Sequence, residues 1–367
     1  MKEKSQELAG LVIEYAKRIQ SIPSLTFHEK TRAAYIFDAF TDAHLTNVEK
    51  DDAGNVYGKI PGGNGLPLVI VAHLDSVLVP DLGHPLTETE TELIGAGIGD
   101  NALGVAGLLG LAHSLTNRKK PLPADVWLVA TIGEEGLGNL AGMHQVVNRF
   151  NQQIIAYLSL EGIGLGMIQT AALGNHRYKI EVLARGGHSW SNYGNPSAIH
   201  ALIKIGSRLL RMKIPESPRC SINIGTIQGG DVINNIARSA EMQLEVRSED
   251  DVTLAQLDKK IRRIARKRRR DAVQINLTNT GSRPSGRISD SHPLIVACRQ
   301  ALLSLGITPT LAMSSSDASL PISMGYPATC LGITTGHHVH TSEESISIAE
   351  IALGMDQISH LIDLLMS

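Results

Sequence analysis

The stretch ADVWLVATIGEEGLGNLAGMHQVVNRFNQQIIAYLSLEG, residues 124–162, decides the fold. It opens with an apolar, β-branched run (124–133), passes glycines into a helically spaced segment (140–150), and closes in a second apolar run (154–162). Short apolar runs bounded by glycine read as buried strands, and the segment between them has helix length. Strand, helix and strand in that order make a βαβ unit with parallel strands covered on both faces. Two carboxylates, Glu134 and Glu135, stand side by side where the first strand ends. A solvated turn would explain the doublet taken alone; its surroundings point elsewhere.

Working outward, PLVIVAHLDS (67–76) predicts another buried strand and NALGVAGLLGLAHSLTN (101–117) a helix, so the α/β alternation runs to about residue 174. From 176 the order changes to strand (177–184), helix (196–212), strand (219–227), strand (239–248), helix (254–270) and strand (273–280). That βαββαβ order predicts a ferredoxin-like module. After GSRPSG (281–286) the α/β pattern resumes with a helix (292–306), an apolar strand (328–334) and a closing helix from about 346. The expected fold class is α/β, with a mostly parallel sheet flanked by helices. The expected layout is a catalytic domain of residues 1–174 and 285–367, interrupted by an inserted module of residues 175–284.

The chain has 367 residues, 43% hydrophobic and 19% charged, which suits a globular protein with a large core. A net charge of −2 supplies no general attraction to nucleic acid or to a membrane surface. Aromatic residues are only 4%, too few for base-stacking platforms, and the basic run IRRIARKRRR (261–270) has no aromatic partners nearby. No stretch of about 18 uncharged apolar residues occurs, and the N-terminal segment is charged throughout, so neither a membrane span nor a secretory leader is expected. Cys220, Cys298 and Cys330 are widely spaced and form neither a disulfide framework nor a thiolate metal site. A cytoplasmic location is the resulting expectation.

The chemistry-bearing residues fall at one edge of the predicted sheet. His73 and Asp75 end one strand, Asp100 sits between a glycine-rich loop and a helix start, Glu134 and Glu135 end the next strand, and Glu161 the one after. His337, His338 and His340 follow the last strand. In open parallel sheets the carboxyl edge is where ligands bind. Imidazole and carboxylate ligands without thiolate suit zinc, with cobalt or manganese as substitutes. One shared carboxylate with a His and a carboxylate on each side fits a two-metal hydrolase, whose ions lie about 3.5–4 Å apart. Because neighbouring strand residues point to opposite sides, one Glu of the doublet is expected to bind metal and the other to take a proton from the attacking water. Asp75, two residues beyond His73, is placed to orient its imidazole. Asp100 by itself also reads as a helix N-cap. The loop GAGIGDNALG (95–104) fits neither a dinucleotide nor a P-loop fingerprint.

The motifs AHLDSV (72–77), GIGDNALGVAGLL (97–109), TIGEEGLG (131–138), SLEG (159–162), GGHSW (186–190) and HVHTSEES (338–345) occur in this order along nearly the whole chain. Together they resemble the dinuclear zinc exopeptidases and amidohydrolases, the family of peptidase T, carboxypeptidase G, aminoacylase and succinyl-diaminopimelate desuccinylase. The resemblance implies that His73 and Glu161 hold one zinc ion, Glu135 and His340 the other, and that Asp100 bridges them ahead of a cis peptide at Asn101. It implies Glu134 as general base and Asp75 as orienter of His73, and it selects His340 from the three late histidines by a Glu three residues on. His337 and His338 are then neighbours.

In the inserted module, GGHSW matches the segment whose His, here His188, helps hold the oxyanion in the partner subunit's active site. NNIARSAEMQLEVR (234–247) resembles the segment with an Asn at the reacting carbonyl and an Arg thirteen residues on at the substrate carboxylate, which selects Asn234 and Arg247. Ala237 replaces the family's usual proline, leaving Asn235 as the alternative to Asn234. SSSDASL (314–320) matches a loop carrying an active-site Asp, here Asp317. The family implies a homodimer through the module and hydrolysis of an amide bond in a small peptide, with N-acyl-amino-acid deacylation as the alternative. A catalytically silent binding dimer would have lost ligands or base, and none is lost here.

Overall fold

The computed structural model describes residues 2–78, 85–266 and 273–367. It divides into two units, one made of Met1–Ala172 with Arg287–Ser367 and the other of Leu173–Gly286. In chain order the first unit opens with α1 (Lys2–Gln20), α2 (Lys30–Asp42), β1 (Thr46–Lys50), β2 (Val56–His73) and α3 (Leu103–Thr116). It continues through β3 (Leu122–Thr131), α4 (Ala141–Phe150), β4 (Ala156–Ile163) and β5 (Met167–Ala172). The second unit holds β6 (Gly174–Leu183), α5 (Ala198–Leu210), β7 (Cys220–Gly229), β8 (Ser239–Ser248), α6 (Asp251–Arg266) and β9 (Gln274–Arg283). The chain then completes the first unit with α7 (Pro293–Ser304), β10 (Thr310–Ser314), β11 (Ala328–Thr334) and α8 (Ile351–Leu365).

Side-chain alternation sorts the apolar runs of the first unit between two helical layers. Leu68, Ile70 and Ala72 of β2, Val126 and Leu128 of β3 and Leu158 and Leu160 of β4 pack with α1, α2, α3, α7 and α8. Val69, Val71, Val129 and Tyr157 face the other way, against Met143, Val146 and Val147 of α4 and the 318–328 segment. Strands buried on both faces need the near-continuous apolar sequence seen here. The helix α3 is buried nearly all round, in keeping with its Leu, Ala and Gly composition.

The parallel core runs through β3, the second half of β2, β4 and β11. The first half of β2 was not anticipated: Val56–Ile60 meets β3 in descending register while Leu68–His73 meets it in ascending register, so β2 wraps both edges of β3. Thr310–Ser314, also unanticipated, pairs in parallel with β5. The closing helix begins at Ile351, later than its hydropathy suggested, because Ser345–Ser347 pairs with Glu92–Ile94. Within the second unit the antiparallel sheet has the order β7-β8-β6-β9, with α5 and α6 packed on its apolar face. This is the ferredoxin-like arrangement. The basic run is helical through Arg266, and residues 267–270 lie outside the described residues. Among the described residues no helix is long and apolar enough to cross a membrane.

Close approach of α8 to β11 rests on one glycine. A Cβ at Gly354 would lie 1.8 Å from the carbonyl oxygen of Ile333. Gly→Ala ordinarily favours a helix, but the overlap here is with backbone, which cannot rotate away. Gly354→Ala is therefore expected to lower unfolding free energy by about 1–3 kcal/mol, read as a lower urea midpoint at unchanged slope.

Candidate metal centre

Each candidate ligand is delivered by the end of a strand or by the loop beyond it. His73 is the last residue of β2, and Glu161 lies near the end of β4. Asp100 sits in a kinked turn, Ile98–Ala102, ahead of α3, where it and Asn101 have non-helical backbone angles and the peptide bond between them is cis. The Asn101 side chain ties that turn to β4, donating to the Leu160 carbonyl at 2.8 Å and accepting from Gly162 N–H at 3.0 Å. His340, in the loop after β11, has φ +67°, a left-handed conformation that a non-glycine residue adopts only under constraint.

These side chains converge. The Asp100 carboxylate places Oδ1 3.1 Å from His73 Nε2 and Oδ2 2.8 Å from His340 Nε2. Glu161 Oε2 lies 3.4 Å from His73 Nε2, and Glu135 Oε1 3.2 Å from His340 Nε2. Donor atoms of His73, Asp100 and Glu161 lie within 4.8 Å of one another, as do those of Asp100, Glu135 and His340. A third such group joins His73, Glu134 and Glu135. His337 and His338 enter none of these groups among the described residues. The nitrogen and oxygen donors, with no thiolate and an excess of carboxylate, suit divalent zinc, cobalt or manganese.

The acidic doublet is held differently from its expected place at a strand end. β3 stops at Thr131, so strand alternation does not separate Glu134 from Glu135. Instead both backbone N–H groups donate to the buried Asp75 carboxylate, Glu134 to Oδ1 at 3.0 Å and Glu135 to Oδ2 at 2.8 Å. Asp75 also meets His73 Nδ1, through its carbonyl oxygen at 3.0 Å and its carboxylate at 3.5 Å. Asp317 is buried and accepts from the Thr131 hydroxyl at 2.5 Å.

Several supporting groups had no signal in the sequence. The carboxylate of Glu344, the residue after the Glu used to select His340, is buried and accepts from Gly99 and Asp100 N–H at 2.7 and 2.8 Å, and from His340 N–H at 3.3 Å. Glu343 is exposed. Glu29 Oε1 accepts from Phe27 and Gly133 N–H, each at 3.0 Å. The buried Arg32 donates to the Leu74 carbonyl at 2.7 Å and the Thr26 hydroxyl to Asp75 Oδ2 at 2.9 Å. Only contacts across the fold reveal such residues.

The titrations follow from the crowding. Burial pushes the Glu161 carboxyl up to about 7 against the pull of His73. Donation to the carboxylates of Asp100 and then Glu135 lifts His340 to about 10. Burial works against a charged His73, but Glu161, Asp100 and Asp75 outweigh it and hold that imidazole well above its ordinary value. Asp100 resists the effect of its burial through its two imidazoles and stays below the usual carboxylate range.

In the second unit, His188 pairs with Asn235 across a short ladder, and Ser189 N–H donates to the Asn234 carbonyl at 2.9 Å. His188 Nδ1 accepts from Trp190 and Ser191 N–H at 3.2 and 3.3 Å, which assigns its proton to Nε2. Asn234 and Asn235 are both exposed. Arg247 on β8 donates from Nε to Glu245 Oε1 at 2.5 Å.

Comparison with known proteins agrees with this architecture. Residues 55–190 match the model of Peptidase family M28, and residues 170–272 that of a peptidase dimerisation domain. A probable carboxypeptidase of Aspergillus clavatus is 27% identical over 268 residues, 65% of this chain and 62% of that protein. The chain spans 49–66% of the length of the curated relatives it matches. A tripeptidase from Staphylococcus aureus superposes with a TM-score of 0.81 at 19% identity, covering 97% of this chain and 98% of that one. A dinuclear metal-binding peptidase of the M20 family from Bacillus subtilis gives 0.69 at 17% identity, covering 98% and 99%.

A divalent cation bound by these donors would have to displace protons from His340, His73 and Glu161. Raising the pH removes those competitors, so affinity for zinc is expected to rise from pH 6 to 9, with release of about two protons per chain at pH 7.5. Calorimetry in buffers of differing ionisation enthalpy measures both. Glu344→Gln, which sets an amide where the backbone N–H groups need acceptors, is expected to weaken metal binding by about 10–100-fold.

Proposed function

We propose that this chain, a peptidase-family protein by its two matched models and an M20-type peptidase by its fold, is a two-zinc exopeptidase acting on small peptides. One observation carries the reading: the two oxygens of the Asp100 carboxylate each face a different imidazole, and each imidazole has its own carboxylate partner. In this reading His73 and Glu161 would hold one ion, Glu135 and His340 the other, with Asp100 between them. The ion pair, when bound, polarises the scissile carbonyl and lowers the pKa of the attacking water.

The remaining steps belong to the chain. Asp75 fixes the His73 ring and, through the two backbone N–H groups, the position of the doublet. Glu134 accepts the proton of the attacking water and passes it to the leaving amine. His188, with its proton on Nε2, donates to the oxyanion formed in the active site of the partner subunit. Asn234 contacts the reacting carbonyl, and Arg247, oriented by Glu245, receives the substrate carboxylate. The peptidase dimerisation domain supports a homodimer, and the tripeptidase and probable carboxypeptidase among the relatives support exopeptidase over deacylase action. We place the enzyme in the cytoplasm.

Glu134→Gln protein is expected to retain two zinc ions per chain and lose about 10²–10⁴-fold in kcat. Elemental analysis, with turnover of di- and tripeptides beside N-acyl amino acids, checks both. Normal turnover in that variant removes Glu134 from its role, and preferential cleavage of the N-acyl series replaces exopeptidase with deacylase.

A further inference from the structure

Phe27 has φ +70° and its side chain is 62% exposed. A bulky aromatic residue does not enter the left-handed region unaided, and an exposed ring recovers little by packing. The strain is held from both sides. Glu29 Oε1 accepts the Phe27 N–H at 3.0 Å, and His28 N–H closes a turn onto the Leu25 carbonyl at 2.8 Å. The same segment is tied to the metal centre three times. Thr26 donates to Asp75, Leu25 bridges Ser76, and Glu29 also accepts from Gly133, next to the acidic doublet. A local strain so restrained, next to a catalytic centre, marks a side chain held in place for a ligand.

Other ligand loops show the same habit. Val77 lies two residues beyond Asp75, Leu137 two beyond Glu135, and Val339 immediately before His340, and all three are exposed, as is Leu25. The segments that carry or flank the candidate ligands thus each present an exposed apolar side chain within a few residues of them. Ligand sites are typically apolar with a few placed polar groups.

We infer that Phe27, supported by Leu25, Val77, Leu137 and Val339, forms the subsite for a large apolar side chain of the substrate, making the preferred substrates short peptides with a leucine- or phenylalanine-like residue beside the scissile bond. The inference rests on the peptidase reading and adds its selectivity. Glu29 serves as a positioning residue that couples the Phe27 turn to the doublet loop.

The test compares kcat/KM of zinc-loaded wild type, Phe27→Ala and Phe27→Leu on tripeptides carrying leucine, alanine or aspartate at each position in turn. Wild type is expected to prefer leucine over alanine by at least about tenfold at one position, with aspartate poorest there. Phe27→Ala reduces that preference about tenfold with zinc content and thermal midpoint unchanged, and Phe27→Leu restores most of it. A preference that ignores Phe27→Ala overturns the inference. Calorimetry of the same peptides on Glu134→Gln protein, with and without Phe27→Ala, separates the two readings. Leucine-selective binding that depends on Phe27, without hydrolysis by wild type, sinks the peptidase reading and keeps the subsite. Hydrolysis with binding indifferent to Phe27 does the reverse, and no binding of any peptide removes both.

Discussion

Carboxylates gathered out of water repel one another, and unit charges 4 Å apart do so by about 4 kcal/mol at the effective dielectric of a protein surface. Asp75, Asp100, Glu134, Glu135 and Glu161 crowd one sheet edge, with His73, His340 and the buried Arg32 beside Asp75 to offset them. The molecule handles each charge separately. Asp75 is stabilised by backbone N–H groups and the His73 ring, Asp100 by two imidazoles, and Glu161 tends to keep its proton. A crowded arrangement of this kind has a use when positive charge arrives from outside, and the rigid parallel sheet is what holds the side chains together until it does.

Around that centre, further buried carboxylates do mechanical work through the backbone. Asp75, Glu29 and Glu344 each accept N–H groups from loops far apart in sequence. Glu344 binds the Asp100 turn to the His340 loop, and Glu29 binds the Phe27 turn to the doublet loop. Charge-assisted bonds to backbone are strong and directional, so the loops behave as extensions of the strands. The placement of the candidate ligands therefore depends on carboxylates that grip their backbone rather than join their side-chain cluster.

Much of this was legible in the chain because strands buried on both faces need unbroken apolar runs, and because ligands collect at their carboxyl ends. The runs before His73, Glu134 and Glu161 mark those ends plainly. Val56–Ile60 escaped notice because glycine, lysine and tyrosine interrupt its apolar pattern, and its pairing depends on folding back around β3. Thr310–Ser314 is short and half-buried, so its sequence carries little period. At the site, the positions of the carboxylates and imidazoles along the chain singled out side chains that the structure brings together. Spacing gave no sign of Glu344, Glu29 or Arg32, whose roles exist only through distant partners.

The interruption of the first unit also has a consequence for how the protein is made. β4 and β5 are close in sequence, yet β11, more than 150 residues later, lies between them in the sheet. The inserted sheet is closed entirely by residues 174–283, so its ladders can be completed while the chain is still being translated. The larger sheet must wait with a gap at its centre, and His340 is among the last site residues to emerge from the ribosome. Until then the nascent chain carries an acidic half-site and an unfilled strand position, and delivery of residues 287–340 completes both.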